Sequence, residues 1–192
     1  PTGGGQLGFP EGVAVDNAGN IYVVDTSNNQ IQKFNSSGVF LGMWGTKGSE
    51  DGQFFGPKGI TVDFAGNVYV VDSENNRIQK FDSSGTFIAK WGSYGSGNGE
   101  FAFPKGIVSD VTGKVYVVDG KHRIQAFDEY GTFLTKWGMY GSGDGQFRYP
   151  RDIAIDAAGC IYVTDTGNSR IQKFNSSGMF VNKWDTKNGL TY

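Results

Sequence analysis

Short runs of β-branched and aromatic residues, each bounded by Gly, Asn, Asp or Ser, fill the chain from end to end. Between residues 57 and 91 the runs are Gly59-Ile-Thr-Val-Asp63, Val68-Tyr-Val-Val-Asp72, Arg77-Ile-Gln-Lys-Phe81 and Thr86-Phe-Ile-Ala-Lys-Trp91. Such runs fit a pleated, half-buried surface and predict four strands. Asp16-Asn-Ala-Gly-Asn20 and its equivalents separate the first strand from the second, and Asn35-Ser-Ser-Gly38 the third from the fourth. Both are hairpin signals, with an Asx side chain to bond the backbone and a glycine where φ turns positive. Sequential antiparallel pairing follows.

The same four-strand sentence occurs four times. Pro10, Pro57, Pro104 and Pro150 are 47, 47 and 46 residues apart, and Trp44, Trp91, Trp137 and Trp184 keep the same beat. A four-stranded meander of this size leaves apolar surface on both faces, so it becomes stable only when siblings cover it. The expected architecture is therefore all-β: a β-propeller of four four-stranded antiparallel blades, about 9–44, 56–91, 103–137 and 149–184, in one domain over 1–192. The expected arrangement is a closed four-bladed ring, the alternative an open array completed by another chain.

Composition narrows the function classes. With 38% hydrophobic residues, 31 glycines and five prolines, the chain is too apolar for disorder and suits short strands with glycine turns. A net charge of −2 gives no global attraction to nucleic acid or an anionic membrane. No apolar run is long enough for a membrane helix and Pro1 to Gly5 does not read as a targeting segment, so the chain reads as soluble. One cysteine, Cys160, excludes an internal disulfide.

The segments Asp72-Ser-Glu-Asn-Asn-Arg-Ile-Gln-Lys-Phe81 and Asp165-Thr-Gly-Asn-Ser-Arg-Ile-Gln-Lys-Phe174, with a Gly-Ser-Gly-Asp-Gly-Gln-Phe link at Gly141 to Phe147, resemble the NHL repeat. The resemblance runs through all four units. It implies a propeller, commonly of six blades, used for protein binding, for RNA binding in some regulators, as an extracellular sensor, or in an amidating lyase. Four units depart from that pattern. A portion of a larger six-bladed propeller, detached or engineered, that self-associates through its end blades and has no ligand is thus a second reading.

Candidate chemistry is sparse. Asp25, Asp72, Asp119 and Asp165 each close a second strand, with Arg77, Arg123 and Arg170 shortly after, and Gln30 in the first unit. Repetition marks these as structural, a carboxylate and guanidinium pinning the intervening loop. Trp44, Trp91, Trp137 and Trp184 belong to the packing between blades. Glu11, Lys58, Lys105 and Arg151 follow the repeat prolines and would ring the mouth of the loop-rich face, a candidate binding surface. His122 lies in the one shortened loop, where symmetry breaks. One histidine cannot assemble a lyase-type zinc site, so no metal or cofactor is expected. Asp110 beside Ser109 is the only hint of a hydrolase or lyase and names no reaction. The expectation is a non-catalytic binding or scaffolding module with a protein or peptide partner, no membrane, and nucleic acid disfavoured.

Overall fold

A computed structural model describes residues 4–185. Blade 1 comprises β1 (Pro10–Val15), β2 (Ile21–Asp25), β3 (Gln30–Phe34) and β4 (Phe40–Trp44). Blade 2 comprises β5 (Pro57–Val62), β6 (Val68–Asp72), β7 (Arg77–Phe81) and β8 (Phe87–Trp91). In blade 3 they are β9 (Ile107–Ser109), β10 (Val115–Asp119), β11 (Arg123–Phe127) and β12 (Phe133–Trp137), and in blade 4 β13 (Pro150–Ile155), β14 (Ile161–Asp165), β15 (Arg170–Phe174) and β16 (Phe180–Asp185). Each blade pairs its strands antiparallel in chain order, as a meander must. The register shifts just after Pro10, Pro57 and Pro150, at the first residues of innermost strands, where a missing N–H is tolerated. Among the described residues no helix is long and apolar enough to cross a membrane.

The apolar core lies between blades. One cluster joins blades 1 and 2, a second blades 2 and 3, a third blades 3 and 4. Aromatic layers fill each joint. Trp44 packs edge-on to Tyr22 and against Phe81, and Phe54 from the preceding link lies 5.6 Å from Phe81 between ring centroids. Phe54, Phe101 and Phe147 are fully buried, so the glycine-rich links are anchored by one aromatic each.

The four blades make a four-bladed propeller, as expected, and among the described residues the apolar clusters join consecutive blades and none joins the last blade to the first. Val13 is 66% exposed, whereas its equivalents Ile60, Ile107 and Ile153 are buried. On the opposite end Trp184 and Ile171 are exposed.

Buried carboxylates hold the links. Asp72 is inaccessible to solvent and accepts hydrogen bonds from the Phe55 amide, Asn75, Arg77 Nε (2.7 Å) and Gln79. The same guanidinium donates from Nη1 to the Ser49 carbonyl and from Nη2 to the carbonyls of Glu50 and Gln53. Asp119 with Arg123, and Asp165 with Arg170, repeat the device on residues 96–100 and 142–146. The arginine therefore pins the link that precedes its blade, a longer reach than the neighbouring loop. Asp25, with Gln30 in place of arginine, takes bonds from Gly8 N, Asn28, Gln30 and Gln32. Burial pushes its carboxyl up, and the hydrogen bonds from Asn28, Gly8, Gln30 and Gln32 more than offset this, leaving it below the ordinary carboxylate value.

Candidate functional site

The innermost strands β1, β5, β9 and β13 surround the axis, and their first residues face one another on the side of the links. Close approach of these strands demands glycine at one position. A Cβ on Gly12 would lie 2.4 Å from the Lys58 carbonyl oxygen, and one on Gly59 equally near that of Lys105. The strands thereby converge and carry Glu11, Lys58, Lys105 and Arg151 onto one cleft of about 620 Å³, which Phe9, Pro10 and Asp152 also line. The four mouth residues chosen from sequence are thus brought together.

Their charges are not equivalent. Lys58 Nζ pairs with Glu11 Oε2 at 3.0 Å on a partly exposed surface, a contact worth little by itself. Lys105 is half-buried; burial and the neighbouring charges of Arg151 and Lys58 hold its ammonium below the ordinary lysine value, against a smaller opposing pull from Glu11. Arg151 is exposed. An anion entering beside Lys105 and Arg151 relieves their repulsion and gains two charge-assisted donors.

Asp152 was not foreseen. It occupies the slot of Gly12, Gly59 and Gly106, and its Oδ1 accepts the Ile153 amide at 2.9 Å. A side chain fits here because, among the described residues, no neighbouring backbone crosses Asp152 as those of Lys58, Lys105 and Arg151 cross Gly12, Gly59 and Gly106. The signal was in the sequence as a break in the glycine column.

A model of the NHL repeat matches residues 7–34, 54–81 and 147–174. This chain is a β-propeller that carries NHL repeats. Solved structures of the same fold include a streptogramin B lyase (17% identity, TM-score 0.71, 93% of this chain and 55% of that one) and virginiamycin B lyase from Staphylococcus aureus (18%, 0.70, 93% and 56%). A chain of a nidogen/laminin complex is also similar (20%, 0.69, 94% and 65%). The present chain therefore spans about half to two-thirds of the chains it resembles, and likeness at these identities shows the fold alone. No curated protein matches in sequence.

The blade outside the matched segments is the third, with the shortened loop, and its departures are structural in detail. At the end of the β6–β7 loop Asn76 adopts a positive φ and its Oδ1 accepts the Phe103 amide; Asn29 does the same for Gly56. His122 takes this role in blade 3, with φ 63° and Nδ1 accepting the Tyr149 amide at 3.1 Å. Its ring lies edge-on to Tyr140 and Tyr149. The imidazole is thus a staple between blades 3 and 4 and stays outside the axial cleft. Only the neutral ring can accept that amide, and burial followed by the charge of Lys105 lowers its pKa, opposed by Asp119 and Asp165. A depressed histidine pKa means the unfolded chain binds the proton more tightly, so this stabilisation is complete above the ordinary value of 6.5 and is lost as pH falls below it. The urea midpoint should therefore drop between pH 8 and pH 5, and His122→Asn should flatten that part of the profile.

Ser109 and Asp110 lie at the far, hairpin end, beside a smaller cavity of about 170 Å³. Ser109 Oγ is engaged across the blade joint with Thr61 Oγ1 at 3.2 Å and the Val62 carbonyl. Asp110 accepts the amides of Thr112 and Lys114, the Thr112 hydroxyl and the Tyr116 hydroxyl, capping its turn. Burial and Asp110 push Tyr116 up to about 12. The two side chains face different partners and make no nucleophile–base pair with one another. Among the described residues no group of three or more His, Cys, Asp or Glu is placed to hold a metal, and Cys160 is half-buried.

Proposed function

We propose that this NHL propeller is a binding module whose axial mouth receives an acidic side chain from an extended segment of a partner protein. The observation that carries the reading is the convergence of Lys58, Lys105 and Arg151 from three blades on one cleft, with Lys105 destabilised as a cation by burial and then by Arg151 and Lys58. A mostly preformed concave site with a few converging polar groups suits recognition of a chain segment. The presence of the same fold in a nidogen/laminin complex supports a protein partner. A hydrolase reading draws less support, because the Asp110 carboxylate is already occupied by its turn and Tyr116.

The test is fluorescence anisotropy with a fluorescein-labelled hexaglutamate peptide. Saturable binding that weakens with added salt is expected. Losing charge-assisted hydrogen bonds worth about 1.5–3 kcal/mol each should make Lys105→Ala with Arg151→Ala at least about tenfold weaker. Lys136→Ala, on the exposed edge strand β12, should bind as the parent does. Equal affinity in the double variant would discard this mouth as the site, and failure of the peptide to bind at all would discard the acidic segment.

A further inference from the structure

Phe9, Gly56, Phe103 and Tyr149 stand at one place, immediately before the proline that opens each blade. All four have a left-handed backbone, with φ of 56°, 58°, 51° and 50°. Glycine adopts this region without a steric penalty, and for a bulky side chain it is an outlier. Blade 2 shows that glycine serves the turn. Blades 3 and 4 put an aromatic ring there instead, and a brace from the preceding blade holds each backbone in place: Asn76 Oδ1 accepts the Phe103 amide at 2.8 Å, and His122 Nδ1 the Tyr149 amide at 3.1 Å. Strain that the surroundings sustain where glycine would relieve it points to a use for the side chain presented.

These rings are not core. Phe103 is 49% exposed and Tyr149 57%, and each has an exposed tyrosine of the preceding link close by. Phe103 meets Tyr94 edge to face with centroids 6.5 Å apart, and Tyr149 and Tyr140 both pack edge-on against His122. The Phe103–Tyr94 pair lies at the joint of blades 2 and 3, with blade 1 packed on one side and blade 4 on the other, so its exposure belongs to the interior of the array. Two residues after each ring comes a cation that lines the cleft, Lys105 after Phe103 and Arg151 after Tyr149. The Lys105 charge is felt as far as His122. Two successive joints thus repeat one pattern on the side of the links, an exposed aromatic pair next to a cation of the mouth.

We propose that these aromatic pairs are seats flanking the mouth, and that the partner's extended segment carries proline beside its acidic residue, the proline ring lying on Phe103 and Tyr94 or on Tyr149 and Tyr140. This rests on the reading that an acid of the partner enters the cleft. The charge of the occupant follows from Lys105 and Arg151, and its shape from the repetition, because a segment that reaches from the cleft to a joint is extended over that span. A proline-rich segment is extended before it binds, loses little freedom on docking, and recurs as the ligand of aromatic-lined grooves.

Fluorescence anisotropy with two fluorescein-labelled peptides of equal charge, Glu-Pro-Glu-Pro-Glu-Pro and Glu-Ala-Glu-Ala-Glu-Ala, tests this. The parent should bind the proline peptide at least about fivefold more tightly. Phe103→Gly with Tyr149→Gly should bind the two alike and keep a cooperative thermal melt, because glycine relieves the left-handed backbone. Phe103→Leu with Tyr149→Leu keeps apolar bulk but removes the flat rings, and it should lose the preference as well. Lys105→Ala with Arg151→Ala should weaken both peptides and leave their ratio unchanged. Equal affinity of the parent for the two peptides, or a preference that survives in either folded ring variant, would overturn the proline seats while leaving the acid in the cleft. Failure of both peptides to bind would overturn the two readings together.

Discussion

Asp72→Ala is expected to lower stability by about 3–5 kcal/mol, the cost of leaving a buried charge without its partner. The carboxylate is the hub of blade 2: fully buried itself, it accepts the Phe55 amide, Asn75, Gln79 and Arg77 Nε. Without it Arg77 keeps its three carbonyl acceptors but loses the opposite charge, in a position where water does not reach the guanidinium freely. Asp25→Ala provides the internal comparison. Its donors, Gly8 N, Asn28, Gln30 and Gln32, are neutral, so the loss is that of unsatisfied hydrogen bonds, about 1–3 kcal/mol. Urea unfolding of the two variants should rank Asp72→Ala well below Asp25→Ala. Equal losses would show that the arginine charge is solvated in the fold and that the clamp is held by its neutral bonds.

The contrast between those two aspartates also marks how far the residues could be read in advance. The strand runs, the Asx-glycine turns and the beat of Pro and Trp are local or periodic, and they determined the meander and the blades. That the mouth residues converge was legible too, since each follows a repeat proline at the entrance to an innermost strand. How the last blade stands to the first was not legible, because the angle at each joint is the sum of many side-chain volumes at different radii. Nor was the reach of Arg77 to Ser49, since a link between blades carries no pattern of its own beyond glycine and one aromatic. His122 stood out as a break in symmetry and invited a functional reading; its geometry shows a ring nitrogen filling the place of an asparagine oxygen. Asp152 stood out just as clearly in the glycine column and passed unnoticed, although it alone of the two lines the cleft.

Gly85→Ala should cost about 2–5 kcal/mol, and Gly38→Ala only about 1–2, although the two glycines occupy the same turn in sister blades. Both have a positive φ, 91° and 78°, and an L-residue held there loses about 1–2 kcal/mol. The difference comes from the neighbour. At Gly85 the new methyl would meet Trp44 Cδ2 at 2.5 Å, and Trp44 cannot retreat because Tyr22 and Phe81 hold it on both sides. Forcing a methyl into such a packed joint adds about 1–3 kcal/mol. At Gly38 the methyl enters open space, so only the backbone term remains in dilute solution. Thermal melts of the two variants at low concentration separate these terms, because the turn is shared and the indole is not. Equal destabilisation would mean that the Trp–Gly seat carries no packing constraint, and with it would go the reason for a glycine at every blade joint.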